Sequence, residues 1–296
     1  MSTISRRRFI LAGTVGLAGL SLAGRGMAES IYSLANDTVV DKVKLGKTGL
    51  TVSRIAMGTG TSGYNGNSNQ TRLGMDSFVK LAHHAYEKGI TFYDMAEGYG
   101  SMPFVAESIK NIPREKLTLL SKIWTYEEGN AKAETAPVFL DRFRKAANTD
   151  YFDIILMHCM QSGNWSNTRK RYIEGLSRAK EDGIVKAVGV SCHNYDALVE
   201  AVDSPWVDVI MARTNPFGEI MDGTPDAIKT LLLKAIQNGK GVIGMKIFAE
   251  GKRVADSERE ESIRYAMTQK HVHCMTMGFA SNDQMDDAIA RVMKYA

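Results

Sequence analysis

The chain has 296 residues, 44% of them apolar and 24% charged, with a formal net charge of +4. This is the balance of an ordinary globular protein, long enough for one large domain or two small ones. Residues 1–28 hold four arginines and no acid; without them the formal charge is zero, which argues against a nucleic-acid partner, since such binding needs a basic face.

Those first residues read as a targeting segment. "SRRRFI" (Ser5 to Ile10) opens a glycine-rich apolar run, Phe9 to Ala23, followed by Arg25 and by small residues at Gly26 and Ala28. A basic start, a short apolar middle and a small-residue end describe an export signal, and the run is too short and glycine-rich to span a bilayer well. The arginine pair before Phe9, in "SRRRF", resembles the twin-arginine signal. It implies the twin-arginine export machinery as a partner, passage in the folded state and a periplasmic destination. The expected division is a signal over 1–28 and a single domain over 29–296. No second stretch reads as transmembrane.

Next comes "KVKLGKTGLTVSR", a predicted hairpin turning at Lys47-Thr48-Gly49. Eight short runs follow: 54–59, 90–95, 117–123, 152–158, 185–191, 207–213, 241–246 and 272–279. Several are apolar nearly throughout, as in strands buried on both faces of a parallel sheet. Helical stripes separate them. Ile228, Leu231, Leu232, Ala235 and Ile236 recur at helical spacing, as do Met285, Ala288, Ile289, Val292 and Met293. "EKGI" and "QNGKG" supply glycine stops between helix and strand. The alternation predicts an α/β fold, a (β/α)8 TIM barrel with the hairpin closing its bottom. A doubly wound sheet is the main competitor.

"GTGTSG" (Gly58 to Gly63) matches a dinucleotide fingerprint, but its context fails. A helix must open at that turn to hold pyrophosphate, and no helical stripe begins before about Met75.

At the C-terminal ends of barrel strands, where such folds carry their sites, stand Asp94, Lys122 and His158, with Tyr99 in the loop after the second strand. Each has a bland reading: a turn cap, a core histidine, one tyrosine among eleven. Lys122 resists it, because a lysine in an apolar parallel strand is rarely buried without a partner. Asp94, one strand away, is that partner. The expectation is that Asp94 keeps Lys122 charged, Lys122 lowers the pKa of Tyr99, and Tyr99 exchanges a proton with a substrate oxygen oriented by His158. This suits carbonyl reduction, with hydride from a cofactor.

The chain here resembles the aldo-keto reductase superfamily over roughly residues 42–293. "YDMAEGYG", "LLSKIW" and "IILMH" match its Asp–Tyr–Lys–His tetrad as Asp94, Tyr99, Lys122 and His158. The resemblance implies a small carbonyl or alcohol substrate and NAD(P) lying extended across the barrel mouth. It places Gly58 and Thr59 near the nicotinamide ribose. Ser191 would bind the carboxamide, with Cys192 and Met211 where amide ligands are usual. Met245 stands where a tyrosine commonly stacks on the nicotinamide, with Lys246 toward the pyrophosphate. Gly278, Gln284 and Asp287 fall at the adenosine end, where Gly278 and Gln284 occupy places held by cations in relatives that prefer NADP. Lys252 and Arg253 are the nearest substitutes. The sequence stops at Ala296 without the tail many relatives fold over substrate, so an open mouth is expected, with Trp124 as either a pocket wall or a packed surface aromatic.

Two rival functions remain. A nucleotide-binding sensor on the same barrel is favoured by the departures at Cys192 and Met211. A metal-dependent hydrolase needs clustered ligands. Of His83, His84, His158, His193, His271 and His273, only His158 and His193 fall near the mouth, so no metal is expected. Cys159, Cys192 and Cys274 lack CxxC spacing and read as small buried residues; pairing of Cys159 with Cys192, at the ends of consecutive strands, is left open.

Overall fold

The apolar runs become parallel strands. The structure, a computed structural model, describes residues 39–296, and the signal-like segment 1–28 lies outside the described residues. A two-stranded antiparallel hairpin comes first, β1 (Lys42–Lys44) and β2 (Thr51–Ser53). Eight strands then close a barrel: β3 (Ile55–Gly58), β4 (Phe92–Asp94), β5 (Thr118–Trp124), β6 (Phe152–Met160), β7 (Val185–Cys192), β8 (Val209–Arg213), β9 (Gly241–Met245) and β10 (Cys274–Met277). Each pairs in parallel with the next, and β10 returns to β3. The fold is the (β/α)8 barrel, not a doubly wound sheet.

Helices follow the strands in turn: α1 (Met75–Glu87), α2 (Met102–Ile109), α3 (Ala136–Ala147), the short α4 (Trp165–Thr168) with α5 (Lys170–Glu181), α6 (Tyr195–Asp203), α7 (Pro225–Gln237), α8 (Asp256–Thr268) and α9 (Asn282–Met293). Their apolar stripes seal the outer face of the sheet. Phe78, Leu81, Ala82 and Ala85 of α1 pack there with Tyr93, and Met285, Ala288, Ile289 and Val292 of α9 pack near Met275 and Met277. No helix among the described residues is long and apolar enough to cross a membrane.

Alternation along each strand separates two cores. Phe92, Leu120, Ile154, Leu156, Ala187, Val209, Met211, Ile243, Met245 and Cys274 fill the barrel interior. Leu45 and Val52 of the hairpin join this cluster, so the hairpin stoppers one end. Its tip is tied down where Lys47 N–H donates to Gly239 O at 2.8 Å.

The same alternation sets the chemistry at the other end. Two residues beyond an inward apolar side chain lies another inward position. Phe92 is thus followed by Asp94, Leu120 by Lys122, Leu156 by His158, Met211 by Arg213 and Cys274 by Thr276. A polar layer tops the apolar ones.

Candidate active site

Asp94 and Lys122 pair directly, Nζ donating to Oδ1, and both are buried. Nζ also donates to Met95 O at 3.0 Å. The second carboxylate oxygen of Asp94 accepts from Thr276 Oγ1 at 2.8 Å. Burial alone would lower the pKa of Lys122; the charges of Asp94 and Tyr99 outweigh it and raise it, so the ammonium persists.

Tyr99 ends a single 3-10 turn, Glu97–Tyr99. The Lys122 ammonium lies 5.0 Å from its ring centroid. Its hydroxyl lies 3.5 Å from His158 Nε2, and the two rings meet edge to face at 5.8 Å. The loop bearing "GTGTSG" explains how the phenol fits. A Cβ on Gly60 would stand 2.1 Å from Tyr99 Cε2, and one on Gly63 would stand 2.4 Å from Cδ1. These glycines make room for an aromatic ring.

Lys122 pulls the Tyr99 pKa down, as expected, but burial is the larger effect and, with Asp94 adding to it, leaves the pKa above its ordinary value. The phenol is therefore protonated at neutral pH. His158 is pushed well below the usual imidazole range by burial first, then by Lys122, His193 and Lys246, so it is neutral.

From Asp94 and Tyr99 a cleft of about 660 Å³ runs outward, a volume in the range of small-molecule sites. Gly58, Met211, Met245, Lys246, Gly278, Gln284 and Asp287 line it. Thr59, Ser191 and Cys192 do not reach it. The Thr59 hydroxyl donates to Asp94 O at 2.8 Å and lies 2.7 Å from Ser101 Oγ. Ser191 Oγ accepts from Cys159 N–H at 2.8 Å. Cys192 is buried among the residues that face the helices, because strand alternation turns it away from the mouth. Cys159, Cys192 and Cys274 are free thiols. Lys252 and Arg253 pair with Glu219, and Arg253 also with Glu258. Trp124 stands at the mouth, 47% exposed, its ring 5.8 Å from that of His158.

The cleft fits an extended dinucleotide in shape and chemistry. Glycine backbone bounds the Tyr99 end, and a Cβ on Gly278 would meet Thr61 Oγ1 at 2.1 Å. Lys246 offers a cation midway, paired with Glu250 at 2.6 Å. The far end is lined by Asp283, Asp287, Gln284 and Arg259. Asp287 accepts from Arg259 at 2.9 Å and from Arg291 at 2.8 Å, so the expected adenine acceptor already has partners.

A closed parallel barrel, a phenol beside a buried ion pair and a cleft ending at that phenol fit a nicotinamide-dependent oxidoreductase. The Aldo/keto reductase family model matches residues 54–295, and the chain belongs to that family. It is 23% identical to L-galactose dehydrogenase of Arabidopsis thaliana, covering 86% of this chain and 89% of that protein. It is 23% identical to the NADH-specific methylglyoxal reductase of Escherichia coli K12, covering 61% of each. The match to probable aldo-keto reductase 1 of Glycine max, at 28% identity, covers 55% of this chain and about half of that protein, 48%. Among solved structures, a putative aldo-keto reductase from Pseudomonas aeruginosa superposes with a TM-score of 0.71 at 21% identity, covering 89% of this chain and 98% of that one.

Several residues were not singled out by sequence reasoning. Thr276 braces Asp94, Arg259 lines the far end of the cleft, and Arg213 bonds His193 beside His158. Arg213 carried the signal that exposed Lys122, a cation closing an apolar strand ("VIMAR").

Proposed function

We propose that the protein reduces small aldehydes or ketones to alcohols, preferring NADH to NADPH, with Tyr99 as the proton donor. The reading is carried by one observation: Asp94, Tyr99, Lys122 and His158 converge where the long cleft ends. A bound reduced nicotinamide nucleotide supplies hydride, which no side chain can. Gly58, Gly278, Met211, Met245 and Lys246 are the residues that would hold it.

The chain's own part is to place and charge the carbonyl oxygen. His158, neutral and beside the phenol, orients that oxygen. Tyr99 gives up its proton as negative charge develops there, and the fixed ammonium of Lys122 stabilises the phenolate left behind.

The nucleotide preference follows from the far end of the cleft. Arg259 donates from Nε to Asp287, from Nη1 to Val254 O and from Nη2 to Asp256. A phosphate added to the adenosine ribose there would meet Asp283 and Asp287 and an arginine already in use.

The test is one pair of measurements on wild type and Tyr99→Phe. NADH consumption with small ketones should disappear in the variant while NADH affinity is retained. NADH should bind at least about tenfold tighter than NADPH, a difference of about 1.4 kcal/mol. Equal turnover in the two proteins would remove Tyr99 from the mechanism, and tighter NADPH binding would overturn the preference. A sensor is the second reading, favoured because Met211 and Met245 offer a carboxamide no hydrogen-bonding group; tight NADH binding with no consumption by wild type would select it. We further place the protein outside the cytoplasm, a reading supported by the pattern of residues 1–28.

A further inference from the structure

Beside the tetrad lies a second set of polar groups that proton donation by Tyr99 does not use. Arg213 closes β8 on its inward parity. Its Nη2 donates to His193 Nδ1, and its Nη1 donates to Asp222 Oδ1 at 3.1 Å. The Asp222 side chain is 3% exposed, so it anchors the guanidinium from the protein side. His193 follows β7, and its ring stands edge to face with that of His158, centroids 6.4 Å apart and planes at 80°.

The arginine fixes the state of this second imidazole. A guanidinium has donors and no acceptor. Nδ1 of His193 must therefore be bare, and the proton of the neutral ring sits on Nε2. The ring is neutral because burial and then Arg213, Lys246 and Lys122 hold its pKa down to about 3. Among the described residues nothing accepts a hydrogen bond from Nε2. The result is a neutral donor of fixed tautomer, without a protein acceptor, next to the imidazole that orients the reacting oxygen.

We propose that His193 binds a second substrate oxygen adjacent to the reacting carbonyl, making α-hydroxy and α-oxo carbonyl compounds the selected class. This rests on the carbonyl-reduction reading above. Ring centroids 6.4 Å apart make the two imidazoles neighbours, close enough for a small molecule with oxygens on adjacent carbons to accept one hydrogen bond from each. The class is neutral rather than acidic. Asp222, paired with Arg213 at 3.1 Å, already neutralises the guanidinium and repels a carboxylate. A site built to hydrogen-bond a substrate hydroxyl discriminates against the analogue that lacks it. His193 touches substrate in this scheme, while Arg213 and Asp222 are positioning residues.

Hydroxyacetone and butanone differ by a hydroxyl in place of a methyl, and they test the idea directly. Their affinities are measured by ligand-detected NMR titration of the full chain in the Tyr99→Phe background, where neither is turned over. Hydroxyacetone is expected to bind about tenfold tighter, a typical yield for one good hydrogen bond. Adding His193→Phe should erase the ratio, and His193→Gln, which keeps a donor, should restore part of it. Equal affinities without any change at His193, or a preference that survives His193→Phe, overturn the proposal. In Arg213→Met the ¹⁵N shifts of His193 should move from one tautomer to a mixture; unchanged shifts remove Arg213 from its positioning role. Consumption of NADH by wild type with either ketone tests the carbonyl-reduction reading separately, so that reading can fail while the affinity ratio holds, or stand while the ratio is absent.

Discussion

Tyr99 is held by what its neighbours lack. Its ring lies against Gly60 and Gly63 on one loop, with the Lys122 ammonium beyond. Gly60→Ala puts a methyl within 2.1 Å of the ring, so the phenol must shift. A displacement of about 1 Å from productive geometry can cost on the order of a hundredfold in rate. We expect Gly60→Ala to cut kcat by that order while leaving the melting temperature within a few degrees; full activity in the alanine protein would show that the ring has slack. Asp94, Lys122 and His158 were legible in the sequence because each is a polar residue two places beyond an inward apolar one. Arg213 and Thr276 obey the same rule and went unnoticed, since a polar residue ending a strand also reads as simple exposure. The purpose of the "GTGTSG" glycines was hidden, because their partner ring comes from another loop. The pull of Lys122 on Tyr99 is legible from the sequence, whereas the burial that outweighs it has no signature in residue spacing.

At the scale of elements, the turn after β9 stands out. Lys246, Ala249 and Glu250 all have positive φ, 59°, 47° and 57°, a region that costs residues with side chains energy. The turn presents Lys246 to the cleft and also supplies Glu250, the acid that neutralises it at 2.6 Å. Both side chains are partly exposed, so the pair is weak, and a nucleotide phosphate competes with Glu250 for the ammonium. Glu250→Gln should therefore tighten NADH binding by about two- to fivefold, less than 1 kcal/mol, as read by titration. Weaker binding would show that Glu250 orders the turn more than it blocks the lysine. The strands themselves fall close to the apolar runs, because parallel strands buried on both faces leave few polar interruptions. The end of β6 was the exception, running to Met160 rather than stopping at His158. Its register shifts against β7 between Met157 and Met160, with Cys159 at φ 64°. Such a bulge is set by pairing with the neighbouring strand, and nothing in the residue type of Cys159 announces it.

For the molecule as a whole, buried imidazoles set the acid limit. His158, His193, His271 and His273 are all depressed, chiefly by burial, His193 to about 3 and His271 to about 4. A group depressed in the folded state contributes stability that is complete above its unfolded pKa, 6.5 for histidine, and lost as pH falls toward the folded value. Carboxylates held low by ion pairs, such as Glu258, act only below their ordinary 4.5. The urea midpoint should therefore fall between pH 6.5 and 4.5, ahead of the carboxylates; a flat profile there would mean these rings titrate normally. The export reading is also a whole-chain matter. A folded reporter carrying residues 1–38 should leave the cytoplasm, and Arg6→Lys with Arg7→Lys should stop it. Export that survives both changes would reject the twin-arginine route.

Closure depends on the last strand. β10 seals the gap between β9 and β3, and it also carries Thr276, whose hydroxyl holds Asp94. Until that segment emerges from the ribosome, the cylinder is an unzipped curtain with two raw selvages, and the acid that anchors the lysine lacks its brace. A product cut short before β10 therefore lacks at once the strand that closes the cylinder and the brace on Asp94.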